Sequence, residues 1–374
     1  MGFWLWQTFL SQRKFTNNQC TDVFNLPRKG VISNLMIETY MLSGSQKVEI
    51  MSQDALKLVE VIGNGSTVLQ SLTGQQLQAS MAYDDHQISP DKEYVPSGGC
   101  YAYFDIRFGR YVGDPLYALD CSKWNSLELK ITFDIEAGGS ADTTGYTDDS
   151  GKLQIYGLYS PDGTGLAPVG YLKKAQKKTY TTTVGGTEDL ALPNDYPFRR
   201  LLLLSASKPS AMNGAFQYIT IDINTGARKP IDNMLTESWM FLELAMRGFP
   251  MWLHSAEYYL DAGVNSIVSR IGFPKTASVF KGSGTLFGTA VDVHQVRVDA
   301  EGGSGRVNVW GVCPDRALAI DLERWSGGKH GVEAMMDTFG YDQTADIHFK
   351  HTQLTAGYDT SVMLEQYATP PAMV

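Results

Sequence analysis

His348 and His351 are the nearest approach in this sequence to a metal-ligating pair. On a strand they would point to opposite faces, because side chains alternate across a sheet, whereas zinc needs convergent ligands. The loop AGGSADTTGYTDDSG (137–151) offers Asp142, Asp148 and Asp149 to a calcium ion. It lacks the spacing and the closing Glu of an EF-hand, so it reads as a solvated loop. GSGTLFG (282–288) has no lysine to reach a phosphate. GGSG (302–305) reads as a flexible turn without a nucleophilic serine at an elbow. Asn64-Gly65-Ser66 matches a glycosylation sequon but reads as a tight turn between strands. Cys20, Cys100, Cys121 and Cys313 form no CxxC and are expected as reduced thiols. No catalytic set, cofactor or metal site is expected, and the chain does not read as an enzyme.

What remains is a chain of 374 residues, with 43% hydrophobic residues and a formal charge of −9. That length favours two domains, and the negative balance excludes a protein that coats nucleic acid through a general basic surface. The one basic cluster, Lys173, Lys174, Lys177 and Lys178, reads as a solvated linker. No run of 18 apolar residues is present, so no membrane-spanning helix is expected. Abundant Tyr, Phe, Trp and Gly point to β structure.

The chain repeats itself. LPRKGVISNLMIE (26–38) aligns without a gap on LPNDYPFRRLLLL (192–204). LVEVIGNG (58–65) aligns on YITIDINTG (218–226), each a strand followed by a glycine turn. WNSLELKITFDI and LQIYGLYSP in the first half correspond to YDQTADIHFKH and SVMLEQYATPP in the second. Three anchors in the same order predict two all-β antiparallel sandwiches, residues 20–164 and 165–374. Strands are expected near 30–42, 47–62, 66–72, 100–108, 127–136 and 153–160. In the second half they are expected near 179–184, 198–206, 216–224, 277–281, 287–298, 306–312, 344–352 and 360–367. LTESWMFLELAMRG (235–248) and SAEYYLDAG (255–263) predict a helical insertion in the second sandwich, near 235–263.

Residues 1–19 begin MGFWLWQTFL and carry Phe3, Trp4, Trp6, Phe9 and Leu10 ahead of Arg13 and Lys14. The bases follow the apolar part and no cleavage site is evident, which is unlike a secretory signal. As a helix the segment would put Phe3, Trp6 and Leu10 on one face. It is expected to be an amphipathic arm or helix, removable without loss of folding, that touches either lipid or a neighbouring subunit.

The duplicated sandwich, its two Leu-Pro strand openings and the helical insertion resemble the double jelly-roll major capsid proteins of tailless icosahedral viruses. That lineage links membrane-containing bacteriophages to adenoviruses. The resemblance implies two tandem jelly rolls, homotrimeric pseudo-hexagonal capsomers and a place in the virion after assembly in the host cytoplasm. It also implies contacts with further capsomers, with penton or minor capsid proteins and with an internal membrane, and no specific nucleic acid. The alternative from the residues is a receptor- or glycan-binding tandem β-sandwich, with loop aromatics as the binding groups.

Overall fold

A computed structural model of the chain describes residues 3–15, 17–43, 51–89, 91, 98–136, 146–147, 150–163, 165–205, 212–247, 251–267, 270–281, 286–291, 296–322 and 345–370. The first half contains β1 (Leu5–Lys14), β2 (Gln19–Asn25), β3 (Val31–Leu42), α1 (Ser52–Ala55), β4 (Leu56–Gly63) and β5 (Thr67–Leu72). It continues with α2 (Gly74–Asp85), β6 (Gly99–Arg107), β7 (Leu119–Asp120), β8 (Leu127–Asp134) and β9 (Lys152–Ser160). The second half runs through β10 (Tyr171–Thr181), β11 (Thr187–Ala191), β12 (Phe198–Ser205), α3 (Met212–Ala215), β13 (Tyr218–Ile223) and β14 (Arg228–Leu235). After α4 (Thr236–Arg247) come β15 (Trp252–Ile267), β16 (Ile271–Lys281), β17 (Leu286–Val291) and β18 (Val296–Pro314). The chain closes with β19 (Ala317–Asp321), β20 (Ile347–Thr352) and β21 (Asp359–Ala368).

One eight-stranded sheet, β19-β12-β21-β10-β5-β4-β8-β2, crosses the whole molecule. Its two halves meet where β10 runs parallel to β5, with Lys174 beside Gln70 and Ala175 beside Ser71. The β5-β4-β8-β2 half packs on the sheet β1-β9-β3-β6 through Ile32, Leu35, Val59, Val61, Leu129 and Ile131. The other half packs on β11-β20-β13-β14 through Leu201, Leu203, Ile219, Phe349, Val362 and Leu364. Inward residues alternate along most of these strands, as antiparallel sandwiches require. β12 and β19 are exceptions, buried at all eight and all five positions. Leu201 and Leu203 enter the second core, while Leu202 and Leu204 join the cluster of the first half. A fourth sheet, β15-β18-β16 with β17 on β18, is inserted after α4.

Apart from the short β7 on β3, the strand pairings of the first jelly roll recur in the second. β1-β9-β3-β6 corresponds to β10-β21-β12-β19, and β5-β4-β8-β2 to β14-β13-β20-β11. The Leu-Pro anchors make the same bond: Leu26 N–H donates to Leu127 O (2.9 Å), and Leu192 N–H to Ile347 O (2.8 Å). In the two hairpin turns Asn64 (φ 52°) and Asn224 (φ 54°) are both left-handed, a conformation that asparagine tolerates. The Asn64 side chain accepts from Asn125 N–H at 2.8 Å and the Asn224 side chain from Asp346 N–H at 2.9 Å. The Asn-Gly-Ser sequence is therefore a turn that ties the hairpin to the neighbouring strand.

Several expectations need correction. Residues 5–14 form a strand, β1, in place of a helix. It holds the same position in the first jelly roll that β10 holds in the second, so it belongs to the sandwich. Phe15, just beyond it, stacks on Phe133 with centroids 3.9 Å apart. Residues 255–263 lie in β15, in register with β18 from Ser255 beside Asn308 to Gly263 beside Ala300. Pairing overrides the helix preference of Glu, Leu and Ala there. GGSG (302–305) lies inside β18 and is no turn. The strand expected at 47–62 begins at Leu56, after the short helix α1; residues 47–50 lie outside the described residues, as does most of the acidic loop 137–151. The lysine cluster 173–178 is part of β10, and Lys174 is buried.

Candidate assembly interface

The two jelly rolls are locked by a helix and a buried ion network. α2 follows β5 directly and starts with a capping box: Thr73 Oγ1 accepts from Gln76 N–H (3.3 Å) while Gln76 Oε1 accepts from Thr73 N–H (3.0 Å). One side of α2 packs Leu77 into the first core. The other side lies on the second jelly roll. Lys174 Nζ donates to Ser80 Oγ (2.7 Å), Ser80 Oγ donates to Glu365 (2.8 Å), and Tyr83 Oη donates to Ala317 O (3.0 Å). Asp84 accepts from Arg199 (2.8 Å) and Arg200 (3.0 Å) and lies 3.4 Å from Lys174. Burial alone would raise the Asp84 carboxyl; Arg199, Lys174 and Arg200 outweigh it and hold the group well below the usual carboxylate range. Glu365 is lowered in the same way, with Lys174, Arg200 and Arg199 acting against its burial.

A second buried cluster ties the inserted sheet to the first jelly roll. Arg270, fully buried, donates to Asp91 (2.9 Å), to Ser89 O (3.1 Å) and to Asp315. Trp252 meets Tyr83 edge-on, with centroids 5.4 Å apart. Burial, and then the Arg270 charge, hold His254 well below its ordinary pKa.

The residues singled out for chemistry are dispersed. His348 is half-buried and pairs with Asp189 and Asp346. His351 is buried against Tyr180, Phe216 and Phe349 on the other face of β20, and burial lowers its pKa to about 4. Cys100, Cys121 and Cys313 are buried and unbridged, and Cys20 is half-buried. Among the described residues no group of three His, Cys, Asp or Glu could hold a metal ion. Also among the described residues, no helix is long and apolar enough to cross a membrane. A cleft of about 700 Å³ opens beside the in-chain junction, between Gln53, Lys57, Gln76, Gln176 and Thr181. Its lining is mostly amide and hydroxyl, with Asp54, Lys57 and Asp359 among them.

The seven N-terminal residues separate into two groups. Phe9 lies edge-on to Tyr159 (5.7 Å) and directly over Gly157, where a Cβ would come within 2.2 Å of its ring. Leu10 packs beside it on the first core. Arg13 lies over the Phe24 ring at 5.2 Å and 3.7 Å from Asp22, and Lys14 is exposed. Trp4 is half-buried beside Gly113. Phe3 and Trp6 face outward, 49% and 58% exposed, and Leu5 joins them at 46%. β1 ends its sheet, and among the described residues no strand pairs with its outer edge.

Sequence reasoning missed α2 and the network beneath it. The signal was the Thr73-x-x-Gln76 capping box. The helix carries Gln, Ser and Ala where a surface helix would show an apolar stripe, because it is buried on both sides.

No family model and no curated protein matches the sequence. Solved structures match along almost the whole chain. The STIV major capsid protein is 11% identical with a TM-score of 0.60, covering 99% of this chain and 98% of its own. The major capsid protein P2 of bacteriophage PM2 is 12% identical with a TM-score of 0.55, covering 99% and 100%. The quasi-atomic model of the PBCV-1 virus capsid is 10% identical with a TM-score of 0.51, covering 98% and 94%. The chain has the double jelly-roll fold.

Proposed function

We propose that the chain is a structural, non-enzymatic capsid protein that builds an icosahedral viral shell, with three copies forming a pseudo-hexagonal capsomer. The observation that carries this reading is the end-to-end likeness to major capsid proteins, with 98% or more of this chain and of the STIV and PM2 proteins covered. The duplicated strand pairing supports it further. A chain with two equivalent jelly rolls supplies two of six quasi-equivalent positions, and three chains close the ring. The outward Phe3, Leu5 and Trp6 suit an inter-subunit contact, because an apolar edge of this kind is a liability unless covered. Lipid contact through these residues is the other outcome. Size exclusion with light scattering tests the reading: the expected particle has three times the 41.3 kDa chain mass. A persistent monomer that binds sugars would favour the glycan-binding alternative.

A further inference from the structure

The in-chain junction has an exposed counterpart on the same molecule. Across the first jelly roll one row of neighbours reads Trp6–Leu158–Asn34–Arg107. The corresponding row of the second reads Lys174–Glu365–Arg200–Asp321. In the second jelly roll the start of this row is covered by α2, and Lys174 is flanked by β5. In the first, Trp6 is exposed. The covering elements also have counterparts. β14 corresponds to β5, since Val59 pairs with Leu72 as Ile219 pairs with Met234. α4 follows β14 as α2 follows β5, and each helix has 12 residues. Leu77, in the first core, corresponds to Trp239, which is buried in the second core. Ser80, on Lys174 and Glu365, corresponds to Leu242. Leu242 is 42% exposed and Phe241 beside it 40%.

The chemistry changes on both sides together. Where α2 offers Ser80 to Lys174 and Glu365, α4 offers Leu242, and the positions of those charges are taken by the exposed Trp6 and the buried Leu158. Two matched apolar surfaces replace two matched polar ones. A single chain cannot bring its own copies of these surfaces together, since they lie on opposite outer edges of the two joined jelly rolls.

The geometry points to a head-to-tail contact between copies of this chain. The edge of β14, which no strand pairs among the described residues, and the Phe241–Leu242 side of α4 in one copy receive the β1 edge and Trp6 of the next. β1 then lies parallel to β14 as β10 lies parallel to β5, and Gln7 falls beside Asp232. This names the contact surface for the assembly proposed above and rests on that reading. It is strand addition at an edge, with a helix covering the join.

The test is a Gln7→Cys, Asp232→Cys chain in a Cys20→Ser background, oxidised mildly and run on a non-reducing gel beside each single-cysteine chain. Both sites are exposed, and neighbouring strands bring Cα atoms within disulfide reach. The expected result is covalent dimers and trimers from the double-cysteine chain alone. An assembled chain by light scattering that yields no such links overturns the contact and leaves the capsid reading standing. A monomeric unaltered chain overturns both.

Discussion

The junction under α2 and its counterpart at α4 use the same backbone plan with opposite side-chain chemistry. Beneath α2, Lys174, Arg199 and Arg200 meet Asp84 and Glu365, all buried. At the counterpart stand the exposed Trp6, Phe241 and Leu242. Charges removed from water cost more than they return unless each is paired in a fixed geometry. A junction that forms once, during folding of one chain, can satisfy that condition. Surfaces that spend time in solvent before meeting are better served by apolar groups, which need no such partner in the free state.

The largest effect in this comparison is expected on the polar side. Asp84→Ala removes the carboxylate shared by Arg199, Arg200 and Lys174, and should cost roughly 3–5 kcal/mol of stability in urea unfolding. A loss near that of an exposed ion pair, below about 1 kcal/mol, would mean the network is not what locks the jelly rolls.

Next comes a pH difference between the two sandwiches. Ile131, paired with Val59, corresponds to His351, paired with Ile219. Burial lowers His351 from 6.5 to about 4, so its neutral form is favoured in the folded state. Its contribution is complete above pH 6.5 and falls away as the pH drops towards about 4, by about 3 kcal/mol in all. Urea midpoints should therefore drop across that window, and His351→Ile should flatten the slope. Asp84 and Glu365 have depressed values, so their contribution is present above the usual carboxylate range and is lost only below it.

The smallest effect concerns the starts of the two helices. Thr73→Ala breaks the capping box of α2 and should cost about 1 kcal/mol by the same unfolding measurement. The corresponding residue, Leu235, is 37% exposed and has no side-chain oxygen to cap α4.

The duplication was legible because its anchors are backbone requirements. Leu26-Pro27 and Leu192-Pro193 open equivalent strands, and Asn64 and Asn224 supply equivalent left-handed turns. The opposed histidines followed from strand alternation alone. β1 was not legible as a strand, since register shifts at Thr8/Leu10 and Leu10/Arg13 break its alternation. β15 was hidden for another reason: its residues prefer helix, and only pairing with β18 makes them extended. The lysines of β10 read as a solvated run because nothing local announces that Lys174 meets Asp84 and Glu365 from distant parts of the chain. The contact surface at Leu242 and Trp6 becomes visible only once the two jelly rolls are placed strand on strand.

Native mass spectrometry of Leu242→Asp beside the unaltered chain tests the head-to-tail contact most directly. Leu242 is exposed in the single copy, so the variant should keep its thermal unfolding transition. The unaltered chain is expected to be a trimer and Leu242→Asp a folded monomer. A Leu242→Asp chain that remains trimeric would contradict the contact.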